Sequence, residues 1–472
     1  MTQQEPMRPA EFGAVFKSFL EHSVADAPEP VSELRERLLG HMEKEPEQLE
    51  VVSESVAGHD HPNFQVALDS WLAADEHEHE LIGVQGNAIG IGMISLPQIL
   101  ARPRSGLVGM PTPEVGPVDR VNVEVGERVL ACVRNGLFLV RDGATPLALL
   151  VHAGHRAMMG QAGIEIDVLA RSAPEAQEFL ATLRKAMQSH NVYRGRILSL
   201  SATQHGALEI AVHALPQVER QSIILPDGLL ARLERATLGI AQHSEVLRAA
   251  GRHLRRGVLL YGHPGTGKTL TAMHLAGRMT GRTVLLLTGR GLGLIGQSVA
   301  MARALQPSTV VLEDVDLVAR ERTSEGVPLP LLFELLNEMD GLSDDADVLF
   351  LLTTNRADLL EPALAARPGR IDLALELPLP DEGCRWRLMQ RYAVGLTLAV
   401  SSLDPYIQRT DGVSAAFIRE LLRRAAAFAA DDAPRGPLVV TDKHLDDALF
   451  ELLVAGGELT RSLLGVRGGR GG

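Results

Sequence analysis

GVLLYGHPGTGKTLTAMHLAGRM, residues 257–279, sets an apolar run, a glycine-rich turn and a helical run in immediate succession. The turn, Gly262-His263-Pro264-Gly265-Thr266-Gly267-Lys268-Thr269, has the spacing G-x-x-x-x-G-K-[ST]. Glycines let backbone N–H groups wrap phosphate oxygens, and the start of the following helix adds a favourable dipole. In that setting Lys268 is expected to reach the β- and γ-phosphates of ATP and Thr269 to ligate Mg²⁺. Gly262, Pro264, Gly265, Thr266, Gly267 and Leu270 complete the expected cradle.

Working outward, TVLLLTG (283–289), TVVLED (309–314) and VLFLLTTN (348–355) are short apolar runs separated by helical stretches. Strands without polar alternation are buried on both faces, so these runs predict a parallel sheet sandwiched by helices. TVVLED ends in Glu313-Asp314, with Asp316 two residues on. Carboxylates at the C-terminal end of a parallel strand beside a phosphate loop stand where a metal ligand and a water-activating base are required. The amide of Asn355, at the end of the third run, is placed to orient the attacking water.

The 472 residues suffice for two to four domains. The net charge of -13 argues against nucleic acid or anionic lipid as a general partner. It belongs to one end: residues 1–80 hold 18 acidic and 5 basic side chains, and the remaining 392 balance at 41 against 41. Two cysteines, Cys132 and Cys384, make no disulfide framework, and the N-terminus has no secretory pattern, so a cytoplasmic location is expected. The uncharged run 81–101 contains Gln85, Asn87, four glycines and Pro97, and is read as a buried, turn-rich segment rather than a membrane span.

Helical spacing runs through residues 1–80. From Val121 the period becomes two, with Asn135-Gly136 and Asp142-Gly143 as turn signals, and Ser172 with Glu175 forms a capping-box pattern before a helix. His59, His61, His77 and His79 read as a solvated histidine run, Arg252–Arg256 as a charged helix end, and the terminal GVRGGRGG as a flexible tail.

YGHPGTGKT, VVLEDVD, LLNEMDGL, TTNRADLLEPAL and ARPGRID stand in the order and spacing of the AAA family of ATPases, in the branch whose second region of homology contains TN, PAL and RPGR. The resemblance covers residues 216–460. It implies a P-loop parallel sheet with a helical lid, ATP hydrolysis with Mg²⁺, and a homo-oligomeric ring, a hexamer by family likeness. By position, Asn355 resembles sensor 1, Arg367 and Arg370 resemble arginine fingers that act on a neighbouring subunit's nucleotide, and Asp340-Gly341 resembles an intersubunit contact. GVSAAFI (412–418) places Ala415 and Ala416 near the nucleotide.

Two departures stand out. The family order at the end of the acidic strand is Asp-Glu; here Glu313 falls on the metal side and Asp314 at the base, an order also found in proteins resembling the mitochondrial Rieske-protein translocase ATPase. The polypeptide-gripping pore loop, aromatic-apolar-Gly in the family, corresponds to Leu294-Ile295-Gly296. The expected organisation is an acidic helical region (1–115), a small α/β module (116–215), a large ATPase subdomain (216–380), a helical lid (381–464) and a tail (465–472). The resemblance implies a motor that remodels a protein client recruited by the N-terminal region. A nucleotide-gated scaffold with little mechanical work is the alternative.

Overall fold

The computed structural model describes residues 12–13, 15–18, 32–74, 77–85, 94–101, 113–153, 163–202, 208–214, 218–288, 293–316, 330–341, 343, 346–358, 371–433 and 437–455. The chain divides into two compact bodies, residues 1–192 with 203–209, and residues 193–202 with 210–472.

The first body is built on strands β1 (Glu50–Ala57), β2 (His77–Gln85), β3 (Glu114–Gly116), β4 (Asp119–Val125), β5 (Arg128–Asp142), β6 (Thr145–Ala153) and β7 (Gly163–Ala170). They form one antiparallel sheet in the order β1-β7-β6-β5-β2-β3, with β4 paired to the first half of β5. Helices α1 (Glu33–Met42), α2 (His61–Leu72), α3 (Leu96–Leu100) and α4 (Ala173–Ser189) cover it. Alternate residues of a strand face opposite sides. Leu147, Leu149 and Val151 of β6 therefore pack with Phe64 and Leu68 of α2 and Phe179 of α4, while Ala148 and Leu150 pack with Leu34 and Leu38 of α1 and Ile99 of α3.

This body corrects several sequence expectations. Residues 1–80 are not helical throughout, because EVVSESVA and HEHELIGVQ form β1 and β2. The histidine run is solvated only in part: His79 is exposed, but His61 is buried with Nε2 2.8 Å from the Val133 carbonyl, and His77 stacks on Trp71 with ring centroids 3.8 Å apart. Asp142-Gly143 does turn, with Gly143 at φ +55°, but Asn135-Gly136 lies inside β5. There β5 exchanges β2 for β4 as its partner, and Asn135 Nδ2 donates to the Val84 carbonyl at 2.7 Å instead of closing a hairpin. The helix after Ser172 forms, yet its first N–H, from Ala173, is taken by the Glu50 carboxylate rather than by a capping box.

In the second body the apolar runs become β10 (Arg256–Tyr261), β11 (Thr283–Leu287), β12 (Ser308–Leu312) and β13 (Val348–Thr354). With β14 (Leu373–Glu376) they form the parallel core of a sheet ordered β14-β10-β13-β12-β11-β8-β9. Strands β8 (Ile197–Ala202) and β9 (Leu208–His213) extend that sheet, β8 running parallel to β11. They were expected in the module over 116–215. Pairing of β8 to β11, with β9 beside β8, places them in the parallel sheet. Helices α5 (Leu229–Glu234), α6 (Lys268–Arg278), α7 (Ile295–Ala304) and α8 (Pro330–Asp340) accompany it, and α9 (Glu382–Tyr392), α10 (Asp404–Arg409), α11 (Ala415–Asp432) and α12 (Asp442–Phe450) form a separate apolar cluster, the lid. The fold class is thus mixed α/β, with an antiparallel N-terminal body, a mostly parallel sheet and C-terminal helices. Among the described residues no helix is long and apolar enough to cross a membrane.

Candidate functional site

Strand β10 delivers the chain into the glycine-rich turn, and α6 begins at Lys268. Two glycines are required by geometry. A Cβ on Gly262 would lie 2.3 Å from the Leu377 carbonyl oxygen, and one on Gly265, at φ +76°, would lie 2.7 Å from both Ala416 Cβ and Ser414 Oγ. The second contact brings in the lid: the Ala416 N–H donates to the Gly265 carbonyl at 3.1 Å, and Ser414 caps α11 through the Phe417 N–H. Ala415 and Ala416 line the same cavity as the phosphate loop, and Ala416 touches Gly265.

The loop opens onto a cavity of about 520 Å³ lined by Pro264 to Thr271, Asp314, Asn355, Ala415 and Ala416. Its far wall is apolar, made of Val218, Ile223, Ile224, Leu225, Met273, Leu388 and Tyr392, with Arg419 of α11 contributing a cation. Sequence reasoning missed this wall. Arg419 stands one helical turn beyond Ala415 and Ala416, a spacing that could have drawn attention to it.

Lys268 is 6% exposed, and its Nζ donates to the carbonyls of Gly262 (3.0 Å) and His263 (2.8 Å). Burial pushes its ammonium down to about 8, against the opposing pull of Asp314 and Asp316. A bound polyphosphate stabilises the charged form and raises that value, so ATP affinity is full below pH 8 and falls as pH rises through the free-loop value. ATP KM measured from pH 7 to 9.5 is expected to climb above pH 8 with a limiting slope of about tenfold per pH unit, the signature of one linked proton.

The acidic pair is split by its surroundings. Glu313 is hydrogen-bonded to the side chain of Thr269, while its Oε1 is buried without a partner. Burial, and then the neighbouring Asp314 charge, raise its pKa. An orphaned carboxylate oxygen beside a hydroxyl fits a Mg²⁺ site formed by Thr269 and Glu313, which the cation would satisfy electrostatically. Asp314 instead adopts φ +48°, a left-handed conformation that aspartate tolerates better than most residues. Its N–H donates to Thr353 Oγ1 at 3.1 Å, and its Oδ1 accepts from Asn355 Nδ2 at 3.1 Å. The buried Asp316 supports this pair, accepting from the Asn355 N–H at 3.0 Å and from Thr354 Oγ1 at 2.9 Å. These surroundings fit the two roles expected from the sequence, Glu313 toward a metal and Asp314 toward the water. Asp314→Asn is expected to retain ATP while slowing hydrolysis about 10²-fold. Glu313→Gln is expected to shift the Mg²⁺ concentration needed for half-maximal turnover upward. The opposite pattern, with Mg²⁺ dependence shifted by Asp314→Asn and not by Glu313→Gln, would refute the assignment.

The pore positions differ from expectation. Ile295 is buried at the start of α7 and Leu294 is half-buried, so Ile295 belongs to the core rather than to an exposed paddle. Asp340 and Gly341 are exposed at the end of α8. Arg367 and Arg370 lie outside the described residues, as does the tail. Among the described residues no cluster of three or more His, Cys, Asp or Glu is arranged to hold a metal.

A phosphate loop on a parallel sheet, a paired acid and amide at adjacent strand ends, and a helical lid resting on the loop define a P-loop nucleotide-binding domain. Residues 258–379 match the family described as "ATPase family associated with various cellular activities (AAA)", so the chain carries an AAA ATPase domain. Among curated relatives it is 36% identical over 225 residues to ATP-dependent zinc metalloprotease FtsH 2 of Symbiobacterium thermophilum, covering 44% of this chain and 38% of that protein. It is 34% identical over 188 residues to 26S proteasome regulatory subunit 10B of Dictyostelium discoideum, covering 37% and 48%. To the proteasome-activating nucleotidase of Thermococcus gammatolerans it is 31% identical over 230 residues, covering 46% and 58%. The chain therefore spans between 38% and 58% of the length of these relatives.

Proposed function

We propose that the protein is a Mg²⁺-dependent ATPase that assembles as a ring, a hexamer by family likeness, and uses hydrolysis to remodel, unfold or translocate a protein client held by its N-terminal body. The observation that carries the ATPase reading is the convergence of Lys268, Thr269 and the Asp314–Asn355 pair around one cavity, with Glu313 bonded to Thr269. Lys268 neutralises charge between the terminal phosphates, the backbone N–H groups of the loop hold their oxygens, and Asp314, steadied by Asn355, orients the attacking water and accepts its proton. Mg²⁺ held by Thr269 and Glu313 would supply Lewis-acid stabilisation of the leaving phosphate. The motor reading rests on likeness to relatives named as an ATP-dependent zinc metalloprotease and a 26S proteasome regulatory subunit. A protein rather than nucleic-acid client belongs to the same proposal, supported by the acidic N-terminal charge, as does a cytoplasmic location, supported by a cysteine content too low for a disulfide framework.

One observation favours the alternative of a nucleotide-gated scaffold: with Ile295 buried and Leu294 half-buried, little apolar side chain remains at these positions to grip a polypeptide. The test uses the Asp314→Asn form to capture a client in ATP and then adds that client to wild-type protein. A motor accelerates turnover and unfolds or releases the client; unchanged turnover with an intact, bound client would establish the scaffold. Leu294→Ala should impair client processing and spare basal turnover if the loop grips at all.

A further inference from the structure

The apolar wall of the cavity is carried largely by one strap, residues 218–225, which has little regular structure of its own. Side chains from three elements hold it. His274, 2% exposed on α6, donates from Nδ1 to the Val218 carbonyl at 2.7 Å, since an oxygen there can only accept. Its Nε2, buried without a hydrogen bond, lies 3.6 Å from Glu234 Oε1 on α5. Glu234 in turn receives Arg220 of the strap in a bidentate pair, at 2.8 Å from Nε and 3.0 Å from Nη2, which holds its carboxylate below the usual range. From the lid, Arg387 donates to the Leu225 carbonyl at 3.0 Å and Arg391 to Ser222 Oγ at 2.7 Å.

His274 is on the helix that starts at Lys268, so the His274–Glu234–Arg220 chain ties the apolar strap to the element that binds phosphate. The strap presents Val218, Ile223, Ile224 and Leu225 to the cavity beside Met273, Leu388 and Tyr392, an apolar wall suited to a flat heteroaromatic ring, which Arg419 of the lid joins as its cation. We propose that His274 is a positioning residue for the nucleobase: through Val218 and Glu234 it sets the strap's distance from the phosphate loop, and so governs base affinity and base selectivity without touching phosphate chemistry. This rests on the nucleotide-binding reading.

The test compares equilibrium binding of ATP, GTP and inorganic tripolyphosphate to the full chain, with steady-state ATP turnover alongside. Losing one buried hydrogen bond predicts that His274→Leu weakens ATP by about tenfold, narrows ATP-over-GTP preference, and raises KM while kcat stays near wild type. Tripolyphosphate binding should not change. His274→Asn, whose amide can still donate to Val218, should restore most of the affinity, and a general packing defect would not be rescued this way. Arg220→Gln, at an exposed side chain, repeats the test without disturbing the interior and should shift ATP in the same direction. A parallel loss of tripolyphosphate binding, a fall in kcat at constant KM, or unchanged ATP-over-GTP preference in both variants would overturn the positioning role. Failure of the wild-type chain to bind any of the three probes would instead overturn the nucleotide reading itself.

Discussion

Lys268→Ala is expected to lower ATP turnover by about 10³-fold or more and to weaken ATP binding, with the fold intact. The ammonium is the cation that the loop itself presents to the terminal phosphates, and its charge is effective because the site is dry: burial has already pulled its pKa down to about 8. The same burial predicts the outcome for stability. Removing a desolvated ammonium whose contacts are two loop carbonyls, Gly262 and His263, should leave thermal unfolding near or above the wild-type midpoint. Turnover by malachite-green phosphate release and Tm by calorimetry check the two halves together. Wild-type turnover in Lys268→Ala would remove the loop from the chemistry. A collapsed Tm would mean that the lysine is a structural tie and would leave its catalytic role to be read from Lys268→Gln.

The parts of the molecule that were legible in the sequence are those where one physical signal dominates. Val258 to Leu260, Val284 to Leu287, Val310 to Leu312 and Val348 to Leu352 are apolar on both faces because helices or lid cover both, and that leaves an unbroken hydrophobic run. The phosphate loop was legible because its glycines have no substitutes at these angles and approaches. The N-terminal strands were not. Half of β2 is His77-Glu78-His79-Glu80, of which Glu78, His79 and Glu80 are exposed, and β1 is an edge strand carrying Glu50 and Glu54; polar strands of this kind imitate surface helix composition. Asn135-Gly136 misled because its glycine serves close packing inside a strand and not a turn: a Cβ there would lie 3.0 Å from Leu81 Cδ1 and 3.1 Å from Val133 Cγ1, where β5 passes from one partner strand to another. The strap over 218–225 was illegible for a different reason. Its position depends on His274 and Glu234, side chains that meet only after folding.

Arg370→Ala is expected to bind ATP normally and to hydrolyse it about 10³–10⁵-fold more slowly if the ring reading holds, because a guanidinium supplied by one subunit would stabilise charge on the phosphoryl group transferred in the next. Its place in ARPGR, shortly after the strand that ends in Thr354 and Asn355, motivates the assignment. Among the described residues the cations that line the cavity are Lys268 on the loop and Arg419 on the lid. Mixing decides whether a further guanidinium comes from a neighbour. A subunit carrying Arg370→Ala keeps a complete phosphate loop, and a subunit carrying Lys268→Ala keeps a complete finger, so a mixed ring contains some sites with both. Turnover should then exceed that of either variant alone and peak near equal proportions, whereas monomers or self-contained sites give a straight line between two inactive ends. A straight line from assemblies verified as mixed would remove Arg370 from the neighbour's site. Recovery would establish, in one titration, that the chain assembles and that its hydrolytic site is shared between subunits, as ring-wide coordination of a client would demand.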